Sequence, residues 1–197
     1  MNETKNKIII LVGPSASGKS TISKYAIDLG GQETVSATTR EPRIGEVNGK
    51  DYYFFRYKTF LEKVYKNEFV EYEMFNNEFY GTLKEEFEEK LKKGNIFSVL
   101  EPKGAVNIKR LFGESVYVFF LDGPNDLLKN RMISRGDKEE DIMKRINILE
   151  ETRNDMKLLF NEKDLKYETL DIFNTHTSQE YPVEYLYLKI IETIKNK

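Results

Sequence analysis

The chain has 197 residues, a net charge of −2 and no cysteine. Its length predicts a single domain with room for insertions. The balanced charge excludes a polybasic nucleic-acid-binding coat, and the lack of cysteine excludes a disulfide scaffold, a thiolate zinc site and a cysteine nucleophile. No apolar run approaches the about 20 residues that a membrane span needs, and no signal-peptide pattern is found. We therefore expect a cytoplasmic protein with neither a membrane nor a nucleic-acid partner.

Short aliphatic strands alternate with helices along most of the chain. Ile8–Val12 is a continuous run of aliphatic side chains, which is typical of a buried parallel strand. A glycine-rich loop follows, and a helix is predicted from Lys19 to about Leu29. The apolar runs 95–100 and 116–121 also precede helical stretches. This alternation predicts an α/β fold with a central parallel sheet flanked by helices.

The segment between residues 33 and 79 interrupts this alternation. A polar loop precedes two aromatic strand-like pieces, 51–57 and 69–75. Asn76 and Asn77 are typical of a turn between strands. These features predict a small mixed or antiparallel insertion.

Three capping-box patterns predict where helices begin. In each pattern a Thr or Asp is followed three residues later by Glu. The third pattern predicts one long helix that runs to about Phe160. The pairs are Thr59 with Glu62, Thr82 with Glu85, and Asp137 with Glu140.

The segment 13–21 reads GPSASGKST and matches the phosphate-binding pattern G-x-x-x-x-G-K-[ST] between a predicted strand and a predicted helix. Gly13 and Gly18 let the backbone approach phosphate oxygens, so that successive N–H groups form a nest for an anion. Lys19 supplies a positive charge, and the Ser20 hydroxyl suits Mg²⁺, partly through water. The residues predicted to bind the phosphates of a nucleoside triphosphate are Gly13, Pro14, Ser15, Ala16, Ser17, Gly18, Lys19, Ser20 and Thr21.

A second basic segment, 36–53, reads SATTREPRIGEVNGKDYY. Arg40 and Arg43 flank Pro42, which stiffens the loop. Two guanidinium groups held in this way suit one phosphate group, because each can bind two of its oxygens. The acidic and aromatic residues that follow favour a ligand-binding loop.

Together these motifs resemble the guanylate kinase family, P-loop enzymes that phosphorylate GMP with ATP. The resemblance runs in family order from about Ile8 to Arg153. It implies in-line transfer of a phosphoryl group from ATP to GMP, and to dGMP, with Mg²⁺, in purine nucleotide metabolism. The pieces that carry it are GPSASGKST, TTREPRIGEVNGKDY, FVEYEMF, YGT at 80–82, EPKG at 101–104, and RMISRG at 131–136 with Arg145 downstream.

The resemblance also implies the roles of individual residues. The residues expected to bind GMP are Ser36, Arg40, Arg43, Glu46, Tyr52, Glu71, Tyr80, Thr82 and Glu101. The residues expected to act in catalysis are Lys19, Arg40, Arg131, Arg135 and Arg145.

Guanine recognition is the most specific of these implied roles. Glu71, assisted by Glu101, would accept hydrogen bonds from guanine N1–H and the amino group. Ser36 and Thr82 would donate to guanine O6. Adenine presents a lone pair instead of N1–H, so a buried carboxylate discriminates against it.

The implied organisation is one domain over residues 1–197. Its core comprises 1–35, 95–125 and 146–197, its GMP-binding insertion is 36–94, and its helical lid is about 126–145. Val99 stands where the family has an aspartate near the magnesium ion. The single histidine, His176, lies in a polar stretch and is predicted to have no catalytic role.

Two other functions remain open from the sequence. The chain could be a P-loop kinase for another nucleotide or for a sugar phosphate. It could also be a non-catalytic guanylate-kinase-like binding module, although such modules typically lack the loop lysine that this chain retains. The sequence predicts neither an oligomeric state nor an adenine contact near 167–171.

Overall fold

The computed structural model describes residues 6–75, 77–162, 165–174 and 179–196. The predicted role of His176 therefore concerns a residue outside the described part of the chain. The strands are β1 Ile8–Val12, β2 Ala37–Thr38, β3 Tyr53–Phe54, β4 Phe69–Phe75, β5 Glu78–Leu83, β6 Ile96–Val99, β7 Val116–Asp122, β8 Glu168–Asp171, β9 Phe173–Asn174 and β10 Gln179–Glu180. The helices are α1 Lys19–Asp28, α2 Tyr57–Tyr65, α3 Lys84–Leu91, α4 Pro102–Phe112, α5 Asn125–Ser134, α6 Glu139–Asn147, α7 Leu149–Glu162 and α8 Val183–Lys195.

A four-stranded parallel sheet forms the centre of the fold, in the order β6-β1-β7-β8. Strand β1 is fully buried because both of its faces are covered. Ile8 and Ile10 pack on one side with residues of α4 and α7, whereas Ile9 and Leu11 pack on the other with α1 and α8. The predicted α/β fold with a central parallel sheet is confirmed.

A second, mixed sheet has the order β3-β2-β5-β4. Strands β2 and β3 are parallel, and the other two pairs are antiparallel. The sheet has a small core of its own around Phe60 and Phe69, whose stacked rings have centroids 4.4 Å apart. Gly81 permits β4 and β5 to approach, because a Cβ there would lie 2.7 Å from the carbonyl oxygen of Glu71. The prediction of strand over all of 51–57 is wrong, since only β3 forms and α2 begins at Tyr57.

All three predicted capping boxes are wrong. Helix α2 begins two residues before Thr59, and its N-cap is Arg56. Thr82 lies in β5, where its hydroxyl donates to Glu71 instead of capping α3. The carboxylate of Asp137 accepts hydrogen bonds from arginines. In the second and third cases a charged partner replaces the weaker bond to a backbone N–H.

The predicted long helix up to Phe160 consists of two helices, α6 and α7. Helix α6 ends with Ile148 as its C-cap, and α7 begins at Leu149. Leu149 and Ile142 are both buried in the same cluster, so the break keeps both helices packed against the core. Among the described residues, no helix is both long enough and apolar enough to cross a membrane.

We predict that Phe160→Ala strongly destabilises the protein. Phe160 is fully buried, and its ring meets that of Tyr167 edge to face with centroids 5.2 Å apart. Loss of this ring should lower the free energy of unfolding by about 3–5 kcal/mol. Leu158→Ala, on the exposed face of α7, is the matched control and should change it by no more than about 0.5 kcal/mol. Equal losses in urea unfolding would contradict this orientation of α7.

Candidate active site

The glycine-rich loop turns sharply where β1 ends. Gly13 has a φ of 144°, and a Cβ there would lie 2.2 Å from the carbonyl oxygen of Leu121 in the adjacent β7. Gly18 has a φ of 93° and is the N-cap of α1. Both glycines are therefore required by the backbone path. The turn places the N-terminal end of α1, with its unpaired N–H groups, at the loop.

Lys19 folds back onto this loop. Its ammonium group donates to the carbonyl oxygens of Gly13, at 2.7 Å, and Pro14, at 2.8 Å. Burial lowers the pKa of Lys19 to about 8, and the nearby Glu101 carboxylate partly opposes this shift. The buried Ser17 hydroxyl has no hydrogen-bond partner within the described part of the chain. The loop thus holds a partly desolvated cation and a buried hydroxyl that has no partner among the described residues.

A cavity of about 780 Å³, here called the lid cavity, joins this loop to α5, α6 and the start of α8. Arg131 crosses it, donating from Nη1 to the carbonyl oxygen of Ala16 at 2.9 Å and pairing with Glu180 at 2.7 Å. All three arginines predicted from the 131–145 region therefore meet the loop at one cavity. Its lining consists of residues 15–22, Arg131, Arg135, Arg145, residues 180–183 and Leu186.

Asp137 holds two of these arginines together. Its Oδ1 accepts from Nε of Arg135 at 2.7 Å, and its Oδ2 accepts from Nη1 of Arg145 at 2.7 Å. The hydrogen bond from Arg135 lowers the pKa of the Asp137 carboxyl. One carboxylate thus offsets the repulsion between two guanidinium groups that line the same cavity.

A second cavity of about 340 Å³, the insertion cavity, lies between the mixed sheet and the end of β6. The Thr82 hydroxyl donates to Oε1 of Glu71 at 2.9 Å, and the Ser36 hydroxyl lies 3.4 Å from that of Thr82. Burial raises the pKa of Glu71 and also that of Glu101. Six of the nine predicted GMP-binding residues line this cavity. Its lining consists of Ser36, Tyr52, Glu71, Glu73, Tyr80, Gly81, Thr82, Val99, Leu100 and Glu101.

The other three predicted GMP-binding residues lie outside this lining. Arg40 forms a bidentate ion pair with Glu46, at 3.0 and 2.9 Å. Its guanidinium carbon lies 5.5 Å from the ring centroid of Tyr52, so Arg40 stands at the rim of the cavity. Arg43 is exposed, and only its backbone N–H binds Glu46. The structure thus brings Arg40 to the insertion cavity and leaves the Arg43 side chain outside it.

A third cavity of about 530 Å³ connects the other two. It shares Ser20 with the lid cavity, and it shares Ser36, Thr82, Val99 and Leu100 with the insertion cavity. Val99, at the end of β6, is 38% exposed in this space. The loop and the mixed sheet therefore face one continuous groove.

Sequence reasoning missed several residues that line these cavities. Glu73 follows Glu71 by two residues, and the alternation of strand side chains places both on one face. This signal was available in the sequence. Tyr181, Val183 and Leu186 line the lid cavity from the C-terminal segment, where no motif indicated a site.

The comparisons with known proteins agree on one family. A sequence model described as Guanylate kinase matches residues 5–172. A guanylate kinase of Clostridioides difficile is 36% identical over 201 residues, which cover 98% of this chain and 98% of that protein. A guanylate kinase of Prochlorococcus marinus is 40% identical over 148 residues, which cover 73% of this chain and 80% of that protein.

The fold has a counterpart among solved structures. The crystal structure of guanylate kinase from Anaplasma phagocytophilum superposes with a TM-score of 0.61 at 22% identity. The match covers 100% of this chain and 88% of that one. The chain belongs to the guanylate kinase family, the ATP-dependent nucleoside monophosphate kinases that phosphorylate GMP.

Proposed function

We propose that this kinase transfers the γ-phosphoryl group of ATP in line to a phosphate oxygen of GMP, and that it also accepts dGMP. The pairing of half-buried Glu71 with Thr82 in the insertion cavity supports this most strongly. Guanine offers two adjacent donors, N1–H and the amino group, to a carboxylate. AMP would leave Glu71 facing a lone pair, at the cost of an unmatched buried charge.

The phosphates of ATP bind at the lid cavity in this proposal. The loop supplies backbone N–H groups and Lys19, and Arg131, Arg135 and Arg145 supply charge on the opposite side. Phosphoryl transfer has a loose transition state, so alignment and charge neutralisation account for most of the catalysis. No protein nucleophile is needed.

The phosphate of GMP binds at the rim of the insertion cavity. Tyr52 and Tyr80 line that rim, and Arg40 lies over the Tyr52 ring. Arg40 exchanges the Glu46 carboxylate for the phosphate, which presents the same pattern of oxygens. Arg43 joins it when the loop 36–53 closes on the substrate.

The residues beside the loop fit a Mg²⁺ ion held mainly by nucleotide oxygens. Mg²⁺ usually keeps several waters and takes only one or two protein ligands besides phosphates. Ser20 is exposed at the start of α1, beside Lys19. We infer that the Ser20 hydroxyl binds the ion, partly through water. When bound, the ion would neutralise charge on the β- and γ-phosphates.

Closure completes the site in this proposal. Within a single domain of residues 1–197, the insertion 36–94 and the lid of about 126–145 close over a core of 1–35, 95–125 and 146–197. Closure excludes water, which would otherwise accept the phosphoryl group. Lys19 then leaves the carbonyl oxygens of Gly13 and Pro14 for the phosphates.

We predict that Glu71→Gln lowers kcat/KM for GMP by at least about tenfold, with KM for ATP little changed. The Gln side chain has one acceptor oxygen, which can bind only one of the two guanine donors. Its amide N–H group then faces the other guanine donor without forming a hydrogen bond. Glu68→Gln is the matched control, because Glu68 pairs with Lys63 outside both cavities. Steady-state kinetics in a coupled ADP-release assay measure the effect. GMP turnover near that of the wild type in Glu71→Gln would contradict the guanine assignment.

We also predict that ATP affinity depends on the protonation of Lys19. Its pKa of about 8 means that the ammonium form dominates below that pH. Only this form attracts phosphate, so the Kd for ATP should be flat below about pH 8 and then rise by up to about tenfold per pH unit.

Calorimetric titration with ATP across this range measures the dependence. Lys19→Arg is the control, because its guanidinium stays charged throughout and should give a flat profile. A wild-type profile as flat as that of Lys19→Arg would show that Lys19 does not titrate in this range.

A further inference from the structure

The insertion cavity contains a third carboxylate, that of Glu73, which has no part in the proposed binding of the guanine or of the phosphate. Glu73 lines it together with Glu71 and Glu101. Its charge contributes to raising the pKa of both neighbours, which indicates that the three carboxylates face one space. Within the described part of the chain, no hydrogen bond or ion pair engages the Glu73 carboxylate.

The register of the hairpin places Glu73 two residues from Glu71, along the direction in which GMP would extend in the proposed function. Glu71 is paired with Thr82 at the base end of the cavity, and Glu73 is paired with Tyr80 one step further toward the rim. Two residues along a strand correspond to about 6.8 Å. The Glu73 side chain is also shorter than that of Tyr80, so its carboxylate lies closer to the sheet than the phenol hydroxyl does. With guanine at Glu71 and the phosphate at Arg40, as proposed above, this location is between the two.

Only some hydrogen-bond donors of GMP are left to bind the Glu73 carboxylate. The N1–H and amino donors are satisfied by Glu71 with Glu101, and the ionised phosphate offers only acceptors. A carboxylate facing that phosphate directly would be repelled. The donors that remain are the 2′- and 3′-hydroxyls of the ribose, which lies between base and phosphate.

We propose that Glu73 accepts hydrogen bonds from the ribose 2′- and 3′-hydroxyls of GMP and so determines the preference for ribonucleotide over deoxyribonucleotide. Its two oxygens match the adjacent hydroxyls. Hydrogen bonds to a charged acceptor are stronger than those between neutral groups. Glu73 has this role only if GMP is the acceptor, so the proposal rests on the proposed function.

The test compares kcat/KM for GMP, dGMP and 3′-deoxyGMP in the wild type and in Glu73→Ala. The wild type should prefer GMP over each deoxy substrate by about tenfold or more, the range expected for a hydrogen bond to a charged group. In Glu73→Ala both preferences should fall below about twofold, mainly through loss of activity toward GMP. Glu73→Gln keeps one acceptor oxygen and should give intermediate ratios. It also keeps the size of the side chain, should Glu73→Ala fold poorly.

Met74→Ala is the control, because Met74 neighbours Glu73 on β4 but does not line the cavity. Its substrate ratios should equal those of the wild type. A wild type without preference, or a preference unchanged in Glu73→Ala and Glu73→Gln, would overturn the role of Glu73 and leave the proposed function intact. An equal rise in activity toward all three substrates would instead show that Glu73 only repels the phosphate. A wild type inactive toward all three would contradict the proposed function, and the role of Glu73 with it.

Discussion

The contact between the glycine loop and the neighbouring strand is the constraint on which the rest of the site depends. Strand β1 is covered on both faces and flanked by β6 and β7. The loop that follows it therefore begins at the carboxyl edge of the parallel sheet. There Gly13 passes so close to Leu121 that a Cβ would overlap its carbonyl oxygen. This path directs the start of α1 toward the groove. The third cavity then connects the loop with the mixed sheet.

Charge is divided along this groove. The lid cavity carries Lys19, three arginines and one carboxylate, Glu180, whereas the insertion cavity carries three carboxylates and, among the described residues that line it, no cation. Lys19 and Glu101 interact across the boundary, and each affects the pKa of the other. Several of these groups are engaged within the protein itself. Asp137 binds two lid arginines, and Glu46 binds Arg40. Asp137 and Glu46 thus bind the guanidinium groups that the proposed function assigns to phosphate. Their negative charges stabilise these arginines before the substrates bind.

The sequence predicted the fold class and the grouping of residues around the cavities better than it predicted local boundaries. The phosphate-binding loop, the parallel strands and six residues of the insertion cavity followed from strong motifs. Capping boxes failed at Thr82 and Asp137 because these side chains found ionic partners that only the tertiary fold supplies. Glu73 was overlooked although its spacing from Glu71 revealed its face. Tyr181 and Leu186 could not be found, since their place beside the loop depends on how α8 packs on α1.

In the proposed function a half-buried carboxylate, that of Glu71, selects guanine, and a separate group of cations binds the phosphates. A coupled ADP-release assay with ATP and Mg²⁺, offering GMP, dGMP, AMP, CMP and UMP in turn, tests it most directly. GMP and dGMP should support turnover, and AMP should show a kcat/KM at least about 10⁴-fold below that of GMP. Comparable turnover of AMP, or turnover of none of the five while ATP still binds, would contradict the account.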